Sequence, residues 1–539
     1  MKKSTAGIIT LGIIFAIFIF GGQEFFNTVW SFPGNIESIK NFPSKDVPLG
    51  SIPLMLLLLL GTGVFITFKL LFPQIRYFWH GIKVTAGTYD DPNDAGDLSH
   101  FKALATAISA TVGIGNIAGV ATAIYYGGPG ALFWMWMTGL FGTALKFAEV
   151  SLAHKYRDIL PDGSAAGGPM YTIEKGLGQK WKWLAILFAS FAVICSFATG
   201  NAIQAFTLSD QLFSETKQIL GTTSFWTIQH NIIGNFSVSY TQIIIGLLLS
   251  SLIALVIIGG IKRIGNVTGF LSPFMAVVYV FASLVVLVTN LHDVIPAFGM
   301  IFEYAFNPPA QIAGVGGGTF LIWLNTVLWG VKRGLYSNES GQGSAPIAHS
   351  TAKTKYGVRE GTVALLEPFI DTITICTLTG LVIISTESWH HTQFYVNHID
   401  PNFQGTLYNA SLLTSLAFKQ GLSWLFDYGD KIVTLGVLLF ATSTIISWSY
   451  YGDRASHYLF GQKAILPYKW VFIVFVFIGA IAELEAIWAF GDAALGFMTA
   501  PNLLTIILLS GVLKNDVKNY FSMKHIPHKE LVKEKSDKG

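Results

Sequence analysis

Long apolar runs without alternation set the reading of this chain. They fall at 6–20, 50–72, 101–125, 130–153, 183–212, 240–260, 267–290, 313–331, 361–386, 429–450, 466–488 and 490–513. Most are near the roughly 20 residues that cross a hydrocarbon layer as a helix. None shows the polar–apolar alternation, over about ten positions, that marks a membrane barrel strand. The pattern predicts an all-α polytopic membrane protein in three parts: an apolar segment and outer loop over 1–49, a membrane domain over 50–513, and a tail over 514–539. The run Ala6–Phe20 follows Lys2 and Lys3 and fits either a signal-peptide core or a short helix. The helix is favoured, because Phe20-Gly21-Gly22-Gln23-Glu24 has no small-x-small cleavage site. After Asn519 the tail mixes Lys and His with Asp and Glu and reads as a disordered end.

Composition agrees and excludes alternatives. The chain is 52% hydrophobic and 12% charged, whereas a soluble domain is about 25% charged. Cys195 and Cys376 lie in apolar runs without CxxC spacing, against a disulfide framework or zinc site. The net charge of +3 says less than its distribution. With core helices numbered from the 101–125 run, one set of loops holds Arg76, Lys83, Lys155, Arg157, Lys175, Lys262, Arg263, Lys332, Arg333, Lys353, Arg454 and the tail lysines. The other set holds Lys40, Lys45, Lys217, Lys419 and Lys431. The basic-rich set is expected inside. Two five-helix halves then start on opposite faces, as an inverted repeat requires.

The stretch Ser109 to Gly119 puts Gly113, Gly115, Gly119 and Asn116 inside an apolar run. Glycines there admit two readings: close helix packing, or a broken helix whose freed amides and carbonyls face a carboxylate or cation. Gly314, Gly316, Gly317 and Gly318 before Thr319 mark a second weak point in the sixth helix. Two loops, 163–171 and 333–346, are rich in Gly, Ser and Pro and read as inside hinges or gate surfaces. Residues 387–428 read as an inserted outer loop, whose His390, His391 and His398 lack the spacing of a metal site.

Charges at membrane depth are few. Lys146 and Glu149 are spaced to pair on one helical face. Glu367, before Pro368, reads as hydrated, and Asp371 as a candidate proton or cation relay. Asn201 and Gln204 share a face after Ser196 and Thr199, and Thr442, Ser443, Thr444 and Ser447 lead to Trp448. Hydroxyls in such number suit a desolvated sodium ion, although each could instead bond back to its own helix. No GxxxxGK[ST], HExxH or GxSxG motif is present. Neither ATP use nor hydrolysis has a motif behind it. The expected partners are therefore a small solute, an ion and the lipid bilayer, with no nucleic acid and no cofactor.

The strings Gly61-Thr62-Gly63, Phe72-Pro73-Gln74-Ile75-Arg76, Ser109 to Gly119, Tyr126-Gly127-Gly128-Pro129-Gly130-Ala131, Lys146-Phe147-Ala148-Glu149, Gly167-Gly168-Pro169-Met170-Tyr171, Ser337-Asn338-Glu339, Gly343-Ser344-Ala345-Pro346 and Trp448-Ser449-Tyr450-Tyr451-Gly452 occur in order. In these strings the chain resembles the alanine or glycine:cation symporter family from about residue 50 to 513. The resemblance implies a leucine-transporter-like inverted 5+5 helix repeat, with one or two extra N-terminal helices. It also implies sodium-coupled import of a small neutral amino acid (alanine, D-alanine or glycine) across the cell (inner) membrane, with the C-terminus cytoplasmic. By the same resemblance, sodium would lie between the carbonyls of Ser109 and Val112 and the hydroxyls of Thr442 and Ser443. Substrate would meet Thr111, Gly113, Gly115, Asn116, Gln204, Thr444 and Trp448. Gly318 and Thr319 stand where the family is expected to place a bulky wall, a departure that would widen the substrate range. The alternative is a proton-coupled transporter of another small solute, with Asp371 as relay.

Overall fold

The computed structural model describes residues 54–161, 163–233, 236–309, 319–390, 411–481, 484–528 and 530. The first apolar run, Gly314 to Gly318, His391 and His398 lie outside these residues. The longer helices are α1 Leu54–Lys69, α2 Phe78–Thr85, α3 His100–Thr111, α4 Ala118–Gly127, α5 Ala131–Lys155, α6 Lys182–Phe197, α7 Ile203–Leu220, α8 Tyr240–Ile257, α9 Gly260–Thr289, α10 Leu291–Phe306, α11 Thr319–Asn338, α12 Ala345–His349, α13 Gly357–Ala364, α14 Thr377–Ser385, α15 Ser411–Leu422, α16 Asp430–Phe460, α17 Ile465–Ile481 and α18 Leu484–Ser522. Among the described residues, seven helices are long and apolar enough to span a membrane, or eight when the bent pair α3 and α4 is taken as one span. Large apolar side chains on α8 and α9, such as Leu247, Leu248, Phe270, Phe274 and Phe281, face outward. That surface suits lipid rather than water. The chain is an all-α, multi-pass membrane protein; the strands among the described residues are two short antiparallel hairpins, Asp158–Ile159 with Ala165–Ala166 and His230–Ile233 with Phe236–Val238.

Local chemistry places the boundaries. Ser99 caps α3 by accepting from the Lys102 amide at 3.4 Å. Gly128, at φ 71°, ends α4, and Pro129 follows it. Ser239 and Gln242 form a reciprocal capping box at the start of α8. The third core segment runs unbroken in direction from α6 through a π-helical turn, Ala198–Ala202, into α7.

Three readings of the chain are corrected. First, α11 extends through Lys332 and Arg333 to Asn338, so these basic residues are helical and not in a loop. The chain then unwinds over 339–344 before α12, and this unwound segment is buried: Ser340 is 0% exposed and Ser344 1%. Gly341 and Gly343 adopt φ of 80° and 85° there, a conformation that side chains with a Cβ disfavour. Second, the outer insertion contains α15, which packs on α16 and α14. Its Thr414 hydroxyl donates to the Ile117 carbonyl at 3.1 Å. Third, α18 continues past 513 to Ser522 as helix, so the start of the tail is ordered.

Candidate functional site

The first helix breaks where its glycines begin. α3 ends at Thr111, Val112 is extended, and a single 3₁₀ turn, Ile114–Asn116, leads into α4 with a 60° bend. The backbone groups freed here find partners from other elements, as buried polar groups must. Asn116 folds back so that its Oδ1 accepts from the Gly113 amide at 3.0 Å. Its Nδ2 donates to Asp371 Oδ1 at 2.6 Å. The Ile114 amide is held more loosely, 3.5 Å from Gln204 Oε1. The Ser109 carbonyl accepts from Thr444 at 3.1 Å and from Ser443 at 3.3 Å. Gly113 is required by space, because a Cβ would stand 2.7 Å from Thr444 Oγ1.

The second break is braced by α5 and α18. Glu149 accepts from the Gly341 and Gly343 amides at 3.4 and 3.1 Å and from Asn502 at 2.8 Å. Lys146 sits 4.0 Å from Glu149 but 2.8 Å from Glu367, all three buried. The expected Lys146–Glu149 pair is therefore the weaker contact. Glu367 is not hydrated: it also accepts from Thr111 at 2.6 Å. A buried relay of contacts continues from Glu367 to His349 at 3.7 Å, from His349 to Glu360 at 2.5 Å, and from Glu360 to His100.

The two breaks meet. A Cβ on Gly115 would lie 3.3 Å from Ser337 Cα and 3.4 Å from the Tyr336 ring. Between them is a small cavity with room for about one water molecule, walled by Thr111, Gly113, Gly115, Gln204, Glu339 and Trp448, with Tyr336 and Gln342 beside them. The Trp448 indole donates to Glu339 Oε1 at 3.1 Å, and its ring presses on Gly200.

Thr111, Gly113, Gly115, Gln204 and Trp448 are thus brought together at the cavity, and Thr444 lies beside Gly113 on the Ser109 carbonyl. Asn116 is not on the cavity wall; it braces the break through Asp371. Asp371 in turn accepts from Asn116, from Ser337 at 2.8 Å and from Thr372 at 2.8 Å. Its three donors make it an anchor for the break. Asn201 turns away from the cavity and donates to the Phe472 carbonyl at 2.9 Å. Ser443 donates to the Ser109 carbonyl where α3 packs against α16, with Thr442 next to Ser443 in the chain and Val112 three residues after Ser109. The hydroxyls of Ser109 and Thr442 are buried without a hydrogen-bond partner among the described residues.

The expected wall at Gly318 and Thr319 is corrected. Gly318 lies outside the described residues, and Thr319 begins α11, 17 residues and about 25 Å of helix rise from Tyr336. The bulky group on this side is Tyr336, so the missing wall that would have widened the substrate range is not missing. Sequence reading also passed over Glu339 and Gln342. The available signal was the pair Gly341 and Gly343 within a polar run, which was read as a hinge instead of a break.

A multi-pass helical protein whose two interrupted helices enclose a small polar cavity belongs to the class of secondary transporters. Comparison with known proteins narrows this class. The chain belongs to the sodium:alanine symporter family, whose model matches residues 39–534. It is 42% identical over 471 residues to the sodium/alanine symporter AgcS of Methanococcus maripaludis, covering 87% of this chain and 94% of that protein. It is 40% identical to an uncharacterized transporter of Haemophilus influenzae, covering 88% and 94%. It is 35% identical to the uncharacterized transporter YflA of Bacillus subtilis, covering 90% and 94%. It is accordingly a cation-coupled amino-acid symporter, and its family members are transporters rather than enzymes.

Proposed function

We propose that this protein imports alanine, in L or D form, or glycine together with sodium, by alternating access around its two broken helices. The observation that carries this reading is the convergence of both breaks on one cavity closed by Trp448 and Tyr336. The bulky indole and phenol on its wall support a substrate with a small side chain. The similarity to AgcS supports the same substrate class. Sodium would lie between the Ser109 and Val112 carbonyls and the Thr442 and Ser443 hydroxyls; the unpartnered Ser109 and Thr442 hydroxyls support it, since a helix hydroxyl that merely bonds its own backbone leaves no such orphan. The loop charges support a leucine-transporter-like inverted repeat over 50–513 in the cell (inner) membrane, with the C-terminus cytoplasmic. The test is uptake of labelled alanine by proteoliposomes. Accumulation under an inward sodium gradient is expected, and uptake indifferent to that gradient overturns the reading.

A further inference from the structure

We propose that Glu339 receives the α-ammonium group of the transported amino acid; this assignment rests on the substrate reading above. Glu339 is the only carboxylate among the described residues that line the cavity. It occupies the unwound turn after α11 at φ 51°, one of few non-glycine residues with positive φ. A strained backbone of this kind persists where the surroundings over-determine it, and it clusters at ligand sites.

The carboxylate is oriented and incompletely used. Trp448 Nε1 donates to Oε1 at 3.1 Å, and Ser344 Oγ donates to Oε2 at 2.6 Å. An ionised carboxylate has about four lone-pair positions, so about half its acceptor capacity is left. Both neighbours are donors and cannot balance its charge. Among the described residues no Lys, Arg or His nitrogen lies within 4 Å of it. The Lys146 ammonium, whose field reaches Glu339, is bonded to Glu367 at 2.8 Å and lies 4.0 Å from Glu149. A buried carboxylate without a cation is costly, and a zwitterionic substrate brings that cation with it.

The opposite wall is suited to the other end of the zwitterion. The turn Ile114–Asn116 presents backbone amides at the start of α4, where anions are favoured. The Ile114 amide has only a 3.5 Å contact to release. Sodium fits Glu339 less well, because a hard cation needs acceptors around it and one oxygen of this carboxylate is covered by the Trp448 indole N–H, a donor only. The oxygen cluster at Thr442 and Ser443 lies five to six residues before Trp448 on α16, about 8 Å along the helix. Amine recognition and size selection are thus joined, because the group that reads the ammonium also holds the Trp448 indole.

The experiment is equilibrium binding to purified full-length protein at fixed sodium, with labelled alanine as probe and lactate, in which a hydroxyl replaces the ammonium, as competitor. The variant E339Q keeps an oxygen to accept from Trp448. We expect its alanine affinity to fall about 10- to 150-fold, the span of a hydrogen bond to a charged group, and its preference for alanine over lactate to fall in step. The sodium concentration giving half-maximal binding should stay within about twofold. E339Q that binds alanine as tightly as the native protein, or that shifts sodium dependence instead, overturns the assignment. The native protein supplies an arm that needs no folded variant: lactate competing as well as alanine overturns it too. A native protein that binds no alanine overturns the substrate reading and the assignment together, whereas normal native binding with an unaffected E339Q overturns the assignment alone.

Discussion

Replacing Lys146 by Met tests what holds the two broken helices against the rest of the bundle. Lys146 is 0% exposed, and its ammonium lies 2.8 Å from Glu367 and 4.0 Å from Glu149. Methionine keeps the aliphatic bulk and removes the charge, which leaves two buried carboxylates facing each other's fields. Removing one partner of a buried pair costs about 3–5 kcal/mol, or roughly 150- to 5,000-fold in the folding equilibrium. The accompanying change E367Q should recover about 2 kcal/mol of this, because it removes the carboxylate that loses most while keeping an oxygen for Thr111. Glu149 needs less rescue, since two backbone amides and Asn502 remain bonded to it. The assay is a double-mutant cycle of detergent-solubilised protein, followed by chemical unfolding. Lys146→Met within about 1 kcal/mol of the native protein, or a cycle additive to about 0.5 kcal/mol, would refute the argument.

Three further outcomes follow from named contacts. Gly200→Ala would set a Cβ 2.2 Å from Trp448 Cγ, so stability should drop by about 1–3 kcal/mol and alanine uptake should fall with the displaced indole; unchanged uptake counts against that packing. Trp448→Ala should relax size selection and let leucine compete for alanine uptake, and unaltered competition removes the indole from the specificity wall. Outside the spans, His80 on α2 bonds Tyr520 at 2.8 Å. Burial first, then the charges of His525, Arg359 and Lys83, pushes His80 down to about 4. A base held below its ordinary 6.5 stabilises the docked tail fully above pH 6.5, and that stability is lost as pH falls toward 4. Hydrogen-exchange protection at 520–525, corrected for the intrinsic rate at each pH, should fall over that window in the native protein, and His80→Gln should reduce this fall; equal protection at pH 7.5 and 5 refutes it.

The fold was legible where a single segment carries its own signal. Every apolar run from 50 onward contains helix, because length and hydropathy are local properties. The first break was legible only in part: Gly113 and Gly115 marked the place but left close packing and a broken helix both open, and the 60° bend decides between them. The second break was misplaced because two glycine-rich stretches flank α11, and local composition cannot say which lies at bilayer depth. The basic pair Lys332–Arg333 pointed to a loop, yet it belongs to a helix that continues for another turn and a half to Asn338.

What no local pattern could reveal is the bracing, since each brace joins residues far apart in the chain. Asn116 reaches Asp371, Gly343 reaches Glu149, and Gly341 reaches Asn502 on the last helix. An unpaired buried backbone group costs about 1–3 kcal/mol, so two broken helices require several such partners to exist in the folded state at all. This requirement sorts the polar residues into two kinds. Asn116, Glu149, Asp371, Asn502 and Thr444 are consumed by the breaks, while Gln204, Glu339 and Trp448 stand on the cavity side of them. Asp371, the charged residue read from the sequence as a candidate relay, falls into the bracing set. Glu339, which looked like part of a turn, is the one left with acceptor capacity toward the cavity.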